Sequence, residues 1–508
     1  MPVIDINLIL LLTFIAWHYA LFCGYISDDH AAVADRQDII PDSEKVDRGE
    51  SFWVKRFNDG LVLFYYTKIM KALRLKKIPF AWHLMSLIIH LMNVWLLQLF
   101  LQPIIGYQNS LYATAFWAVN PMLNQNVVWV SGRPYIISLF LSLIVMNCWF
   151  NPIIFFILYP LAVISNISII FIPILLFILH PQEWQTKLYL WSMIGFTLPF
   201  MVWKFNMRFQ KGLVIDRDNF RFRNRKINAF ARIVLYYIWT LFVPVRMGWY
   251  HQAGFRYNEK WEKFNYLTLS GYLMIGFLIL YFRLPSVIFF LGLIPVSNIF
   301  ATNSFLQDRY LYFCSIGIAM IIAPYIAYQE WIFVAVMTFY MTRAYMYSRH
   351  LKNDEKMYRE NWRNHPKSDY AINNLSFFLI QQKRYDEARV VIERGLVIDQ
   401  TNKMLWYNLG ITYAAQGHFN NDEGKFKFIK ALESWKTCLK IEPRWNKPAN
   451  DLKKLIELLV EKKVLTMHKG ESNGISIDLP NLIGVQEMLN GSSIKAEEII
   501  PKEVTATT

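Results

Sequence analysis

Two adjacent aspartates, Asp28 and Asp29, directly follow the first apolar stretch of the chain, residues 6–26. That stretch is long enough to cross a bilayer, so the two carboxylates would lie where hydrocarbon meets water. A carboxylate beside an apolar surface can have a raised pKa and can take the proton of a hydroxyl during group transfer. Two interpretations stay open: an acid pair that does acid–base chemistry, or acids that only end a helix on the water side.

A second polar segment, residues 120–133, lies between two further apolar stretches. The amides of Asn124 and Gln125 could hydrogen-bond sugar hydroxyls, and the Trp129 ring could stack on a sugar. Arg133 could hold a phosphate through two parallel hydrogen bonds. The alternative is an ordinary interfacial loop with a tryptophan at the headgroup level and a snorkelling arginine.

A third segment, residues 303–312, ends where another apolar stretch begins. Arg309 stands at that start, where a guanidinium can grip a phosphate in a bidentate manner. The alternatives are an internal Asp308–Arg309 pair or another snorkelling helix end.

Composition places these segments in a membrane. Of the 508 residues, 55% are hydrophobic and only 18% are charged, whereas soluble proteins carry about 25% charged residues. Apolar stretches recur to about residue 347 and predict about 10 to 12 spans. The first span reads as a retained anchor and not as a cleaved signal peptide. The net charge of +15 suits an anionic lipid phosphate, and no nucleic-acid motif is present.

Several function classes find no support in the motifs. The four cysteines show no CxxC or CxxH spacing, so metal and disulfide interpretations are weak. Walker A, GxGxxG, HExxH and GxSxG patterns are missing from the sequence. A nucleotide-driven pump or a zinc protease built on those templates is therefore not expected.

Two basic and aromatic segments could lie on the membrane surface. Residues 51–76, within the long loop 27–77, mix aromatic, aliphatic and basic side chains in the manner of amphipathic surface helices. Residues 208–226 alternate aromatic and basic side chains. We expect the loop 27–77 to belong to a multi-span domain that covers residues 1–350.

The chain changes character after this domain. Trp406, Leu409, Gly410 and Tyr413 reproduce the W-x2-L-G-x2-Y signature of the tetratricopeptide (TPR) repeat. Leu375 precedes Leu409 by one 34-residue repeat period. We therefore predict an all-α protein in which a TPR domain, residues 351–463, follows the membrane domain. The polar residues 464–508 are expected to form a flexible tail.

The order of these segments resembles the transmembrane and TPR-containing O-mannosyltransferase (TMTC) family and its prokaryotic relatives, which are GT-C glycosyltransferases. The resemblance covers about residues 1–460. After the first span and its acid pair, it is carried by FWVKRFNDGLVLFYYTKIM, AWHLMSLIIHLMNVWLL, NPMLNQNVVWVSGRPYIISLFLSL, GLVIDRDNFRFRNRKINAFARIVLYYIWTLFVPVRMGWY and SNIFATNSFLQDRYLYFCSIG.

The resemblance implies a GT-C-type membrane domain and an inverting sugar transfer from a polyprenyl (dolichyl) phosphate monosaccharide. No tightly bound cofactor and no nucleotide sugar is implied, and protein cations would make a metal unnecessary. Asp28 or Asp29 would be the catalytic base. The remaining candidates are grouped by role: donor-phosphate ligands Arg309, Arg133, Arg221 and Arg223, and sugar or acceptor ligands His30, Asn124, Gln125 and Trp129.

The sequence also departs from the family. Where the family has a histidine, a glutamate and an aspartate in the second segment, this chain has Leu123, Gln125 and Tyr135. A second acid is therefore missing there, and any role it has in the family is in doubt here. Asp308 replaces a glutamate, which is a mild change.

Orientation is a point of conflict. The family topology places the Asp28 loop outside the cytoplasm, in the bacterial inner membrane or the ER membrane. The same side would then carry the basic segments 55–77 and 208–226, whereas the positive-inside rule favours the cytoplasm for them. Binding of anionic donor lipids by these segments, or a miscounted span, would remove the conflict.

Three functions stay open. The first is transfer of a monosaccharide, such as mannose, to a Ser or Thr hydroxyl of a protein recruited by the TPRs, whose stacked repeats form a concave surface. The second is transfer to a glycan or lipid during surface polysaccharide synthesis. The third is a non-catalytic membrane scaffold that presents TPRs.

Overall fold

The computed structural model describes residues 4–27, 29, 69–70, 72–75, 78–200, 202–203, 226–248, 263–297, 306–443, 445–469, 475–478 and 494–495. The chain divides into two compact units, Met1–His365 and Pro366–Thr508. The sequence predicts this boundary after residue 350. Residues 351–365 belong to the first unit in the structure, where the Asn364 side chain donates to the Met247 carbonyl oxygen at 2.9 Å.

The described regular structure of the first unit is helical. Its α-helices are α1 (Ile6–Trp17), α2 (Pro79–Ile105), α3 (Tyr107–Ala118), α4 (Asn124–Val127), α5 (Arg133–Asn147), α6 (Pro152–Ser165), α7 (Ile172–Leu179), α8 (Trp184–Ser192), α9 (Lys226–Phe242), α10 (Tyr266–Tyr281), α11 (Arg283–Leu293), α12 (Leu311–Tyr328), α13 (Glu330–His350) and α14 (Asp354–Asn364). Short 3₁₀ segments occupy His18–Phe22, Pro121–Leu123, Val130–Gly132, Ile167–Ile169, Ile294–Val296 and Asp308–Tyr310, and a π-helical turn occupies Met193–Thr197.

Side-chain caps set several helix starts. The Asp5 carboxylate accepts from the Leu8 N–H at 2.8 Å, and the Asn151 side chain accepts from the first turn of α6. Such caps satisfy backbone N–H groups that have no partner inside the helix. The polar pair Ser165–Asn166 interrupts an apolar run: α6 ends at Ser165, and the Asn166 side chain accepts from the Ser168 N–H at 2.8 Å.

Three helical segments are long and apolar enough to cross a membrane within the described residues: Pro79–Ile105, Val130–Asn147 and Asp308–Tyr328. Shorter apolar helices pack around them. Outward side chains of these shorter helices are large and apolar; Ile153 and Leu280 are each more than 70% exposed. Such a surface suits hydrocarbon better than water, and the membrane character predicted from composition has this structural support.

A network of hydrogen-bonded polar groups is buried between the helices. The Ala118 carbonyl, at the C-terminus of α3, accepts from Trp17 Nε1 at 2.8 Å and lies 3.0 Å from His90 Nε2. His90 Nδ1 lies 2.8 Å from the Tyr312 hydroxyl, which also accepts from Asn93 Nδ2 at 3.1 Å. Helix C-termini leave carbonyls without helical partners, so these buried groups satisfy one another and tie α1, α2, α3 and α12 together.

The second unit consists of α15 (Asp369–Gln381), α16 (Tyr385–Ile398), α17 (Lys403–Gln416), α18 (Asp422–Ile441) and α19 (Asn446–Glu461). Each helix packs against the next, and α15 also packs against α17. Ala388 on α16 and Ala431 and Trp435 on α18 are buried between these helices. The Trp435 Nε1 donates to the Tyr407 carbonyl oxygen at 3.1 Å. This arrangement fits a helical-repeat unit.

Three short strands follow α19. They are β1 (Thr466–Lys469), β2 (Ile475–Asp478) and β3 (Ile494–Lys495), in the order β1–β2–β3 with antiparallel pairing. Thr466 is opposite Asp478, and Ser476 is opposite Lys495. These strands lie within the segment that the sequence predicts as a flexible tail.

Candidate active site

Residues 129–133, at the start of α5, bring together parts of all three polar segments. Asp29, from the first segment, binds Ser131. The guanidinium carbon of Arg309, from the third segment, lies 5.3 Å from the centroid of the Trp129 ring. The spacing of the segments along the chain does not reveal these contacts, because each joins residues more than a hundred positions apart.

The Asp29 carboxylate is completely buried. Its Oδ1 accepts from the Ser131 N–H at 2.8 Å and from the Ser131 hydroxyl at 2.6 Å, and its Oδ2 accepts from the Ile26 N–H at 3.2 Å. The Ser131 N–H belongs to the first turn of the span Val130–Asn147. Asp29 therefore satisfies a donor at a helix start and lies at the positive end of the helix dipole.

Burial controls the protonation of this carboxylate. Loss of hydration raises the pKa of Asp29 from 3.8 to about 6. The hydrogen bonds from Ser131 and Ile26 and the positive charge of Arg133 act in the opposite direction and offset part of this rise. A pKa near neutrality is the range in which a carboxyl group can exchange protons with a substrate.

The segment before Asp29 is tied to the end of α13 and the start of α14. The Gly24 N–H donates to the Lys352 carbonyl oxygen at 3.0 Å, and the Ser27 N–H donates to Asp354 Oδ1 at 2.7 Å. Ser27 has a φ of +52°, in the left-handed region that a residue with a side chain rarely adopts. Strained backbone of this kind persists only where the surroundings fix it, and it is frequent at functional sites.

Arg133 is fully buried on the other side of Ser131. Its guanidinium carbon lies 4.0 Å from the centroid of the Trp82 ring, within cation–π range. Trp82 packs in a small apolar cluster with Met70, Ala81 and Val130. Met70 belongs to the end of the long loop 27–77, so this part of the loop covers the site.

Arg309 is only partly buried. Its guanidinium carbon lies 5.3 Å from the centroid of the Trp129 ring and 5.7 Å from the centroid of the Tyr310 ring. Both backbone groups of Arg309 are held by α4: its N–H donates to Gln125 Oε1 at 3.4 Å, and its carbonyl accepts from Asn126 Nδ2 at 3.1 Å. Segment 124–129 therefore fixes both the backbone and the side chain of Arg309.

Gln125 and Asp308 close a ring of hydrogen bonds around Gly248. Gln125 Nε2 donates to the Gly248 carbonyl oxygen at 3.1 Å, and Asp308 Oδ2 accepts from the Gly248 N–H at 3.2 Å. A Cβ at position 248 would lie 2.6 Å from Asn361 Oδ1, so glycine is required for this close approach. Both amide contacts of Gln125 are thus with backbone groups.

The described start of the loop that carries Gly248, residues 243–248, and the helix end before it are held by side chains of α13. The Tyr340 hydroxyl donates to the Leu241 carbonyl oxygen at 2.6 Å, and the Arg343 guanidinium donates to the carbonyls of Pro244 and Val245 at 3.2 and 2.9 Å. Tyr340 and Arg343 both belong to α13. Position 309 is consequently supported through Gly248 by the last long helix of the first unit.

The other predicted ligands are placed as follows. Asn124 is buried, and its Nδ2 donates to the Ser348 hydroxyl at 3.3 Å. Trp129 is 6% exposed. Asp28, His30, Arg221 and Arg223 lie outside the described residues, as do residues 208–225 of the basic segment.

Sequence reasoning missed Ser131 and Gly248. Ser131 follows directly after Val130 and precedes Gly132, and a Cβ at Gly132 would overlap the Gln125 carbonyl oxygen. The serine–glycine pair at a helix start was an available signal, because these residues are typical of helix N-termini. Gly248 had no local signal, since its role depends on contacts with distant residues.

Within the described ranges, no group of three or more His, Cys, Asp or Glu side chains is arranged to hold a metal ion. Comparison with family models, curated proteins and solved structures finds no match for this chain. The function is therefore inferred from the residues of the chain itself.

Proposed function

We propose that the protein is an integral-membrane glycosyltransferase that moves a monosaccharide from a polyprenyl-phosphate donor to an acceptor hydroxyl. The observation that carries this proposal is the meeting of one buried carboxylate, Asp29, with two guanidiniums, Arg133 and Arg309, around residues 129–133. Carboxylates can accept the proton of a hydroxyl, and guanidiniums can stabilise a phosphate that carries negative charge.

The reaction proposed for this site balances without a further reactant. A carboxylate of the Asp28–Asp29 pair takes the proton of the acceptor hydroxyl, and the oxygen attacks the anomeric carbon. The bond between that carbon and the phosphate oxygen breaks, and the electron pair leaves with the polyprenyl phosphate. Attack opposite to the leaving group inverts the anomeric configuration. The partly buried Arg309 guanidinium lowers the energy of the leaving phosphate by direct contact, and the fully buried Arg133 adds positive charge without contact.

The location of the site supports a lipid-linked donor. Asp29 follows the first apolar helix, and residues 130–147 and 308–328 are two of the three membrane-capable segments. A polyprenyl chain can remain in hydrocarbon while its phosphate reaches the ends of these segments. We propose a multi-pass arrangement of the GT-C type, in the bacterial inner membrane or the ER membrane, with the site on the extracytoplasmic or lumenal side.

The helical-repeat unit suggests how an acceptor is brought to the enzyme. Its signature residues and the 34-residue step are those of a TPR module, and we propose that it recruits the acceptor protein. Ser or Thr hydroxyls are then the natural nucleophiles. The resemblance to the TMTC family points to mannose as the first sugar to test.

The test is sugar transfer by the purified full-length chain in liposomes. Dolichyl phosphate mannose with a radioactive sugar serves as donor, and a Ser/Thr-containing peptide library serves as acceptor. We expect radioactive peptide from the wild type, a loss of about a hundredfold or more in at least one of Asp28→Asn and Asp29→Asn, and full transfer in Glu183→Gln, an exposed control position in the first unit. Equal rates in the wild type and in both aspartate variants would contradict the proposal.

A non-catalytic scaffold is the second candidate, and one observation favours it. All the hydrogen bonds that the structure gives Asp29 come from Ile26 and Ser131, as expected of a carboxylate that caps a helix. A scaffold predicts no transfer from any polyprenyl-phosphate sugar, while a partner protein still binds the repeat unit. Co-purification of a partner by a chain that is inactive with mannose, glucose and N-acetylglucosamine donors would favour this candidate.

A further inference from the structure

The hydrogen bonds of Asp29 distinguish the two members of the acid pair. A general base must approach the proton that it takes to within about 3 Å. The Asp29 carboxylate has no exposed surface and accepts three hydrogen bonds, two from Ser131 and one from the Ile26 N–H. An acceptor hydroxyl could reach it only after these contacts open.

We propose that Asp29 is a positioning residue: its carboxylate holds Ser131, and through Ser131 it fixes the rings and guanidiniums that meet at residues 129–133. This inference rests on the proposed function and deepens it, because it leaves Asp28 as the member of the pair that takes the proton of the acceptor.

The position of Ser131 affects the residues that precede and follow it in the chain. Two residues earlier, Trp129 supports the Arg309 guanidinium, and two residues later Arg133 lies on Trp82. The segment cannot relax freely, because Gly132 packs so closely on residues 125 and 126 that a Cβ there would overlap the Gln125 carbonyl oxygen. A shift of Ser131 therefore displaces both arginines, each of which interacts with an aromatic ring at a defined distance.

Four variants separate positioning from proton transfer: Asp29→Asn, Asp29→Ala, Ser131→Ala and the double alanine variant. An asparagine at position 29 keeps an oxygen that can accept from Ser131, so we expect its transfer rate to fall by about tenfold or less. Ser131→Ala loses the hydroxyl contact but keeps the backbone N–H that donates to Asp29, so it should lose less rate than Asp29→Ala. The double variant should be no slower than Asp29→Ala. Both single alanine variants should also raise the KM for dolichyl phosphate mannose.

The pH–rate profile supplies a readout that a merely structural role would not move. If Asp28 takes the proton, the acid limb of the profile persists in Asp29→Asn, and it disappears in Asp28→Asn. Loss of the acid limb in Asp29→Asn would overturn the inference. So would a double variant in which the rate losses of Ser131→Ala and Asp29→Ala multiply.

Failure of the proposed function is distinguishable from failure of this inference. If the wild type transfers no sugar, thermal unfolding of the same variants in detergent tests the link between Asp29 and Ser131 directly. A melting temperature that falls in Ser131→Ala, falls further in Asp29→Ala and is no lower in the double variant than in Asp29→Ala supports it. Additive falls in the double variant would overturn it.

Discussion

The stability of the first unit should depend on pH through Asp29. Burial raises the pKa of this carboxyl group from 3.8 to about 6, so the folded state binds its proton more tightly than the unfolded state. Between these two values the folded protein carries a proton that the unfolded chain has lost. Stability therefore falls as pH rises from about 4 to about 6 and is constant above that, as far as this group is concerned.

The size of the effect follows from the same two values. A difference of about two between the folded and unfolded pKa corresponds to about 3 kcal/mol at pH 7. Solvent screening reduces this little, because Asp29 is completely buried. A change of 1 kcal/mol shifts the melting temperature by about 2–4 °C in a domain of 150–250 residues and by less in a larger unit. We therefore expect a total shift of several degrees.

A thiol-reactive dye can follow unfolding of the first unit. Cys23, Cys148 and Cys314 lie in this unit, and Cys438 lies in the other. In a Cys438→Ala background the dye therefore reports the first unit alone. Melting temperatures are measured from pH 4 to pH 8 for this protein with and without Asp29→Asn, and the difference between the two curves isolates position 29.

The expected difference curve changes between pH 4 and pH 6 and is flat from pH 6.5 to pH 8. Asp399→Asn, an exposed position in the second unit, should give no such change and serves as the control. A difference curve in which Asp29 makes the protein more stable as pH rises through this range would refute the reasoning. It would mean that the hydrogen bonds from Ser131 and the charge of Arg133 outweigh the loss of hydration.

Three further predictions concern contacts within each unit. Gly132→Ala should destabilise the first unit by about 1–3 kcal/mol, because the new Cβ meets the Gln125 carbonyl. Gly195→Ala adds a Cβ in open space and should leave the stability unchanged, and dye-monitored melting compares the two variants. Arg309→Lys should lower the rate of sugar transfer but change the melting temperature little. A lysine cannot bind a phosphate in a bidentate manner and loses the contact of the planar guanidinium with the Trp129 ring. Rate and melting temperature are measured on one preparation. Trp435→Phe should cost the second unit about 1 kcal/mol by removing the hydrogen bond to the Tyr407 carbonyl, seen as faster proteolysis of that unit than in wild type.

Sequence reasoning selected the candidate segments because all three are polar interruptions beside apolar helices. Such interruptions are conspicuous in the sequence of a membrane protein. The partners of each residue were not predictable. An amide such as that of Gln125 can bind a sugar hydroxyl or a backbone group equally well, and only the fold brings Gly248 and Arg309 to it.

The second unit shows what a local pattern can predict. Trp406, Leu409, Gly410 and Tyr413 are spaced at i, i+3, i+4 and i+7, which places all four on one face of a helix. This spacing predicts a helix that packs closely against its neighbours through that face. The helix Lys403–Gln416 is present, and Leu409 is buried. The short strands within 466–495 had no such signal, since two to four residues are too few for a periodic pattern to be recognised.

Stability alone explains part of the polar cluster at residues 129–133 but not all of it. Hydrocarbon cannot satisfy the backbone groups at the end of a membrane helix, so protein side chains such as Asp29 and Gln125 are expected there. Arg133 and Arg309 are different: in each case the guanidinium lies against an indole ring, at 4.0 and 5.3 Å. A guanidinium contributes positive charge, which helix capping does not require. We therefore propose that these two arginines balance the negative charge of the donor phosphate, with the partly buried Arg309 as the one that contacts it.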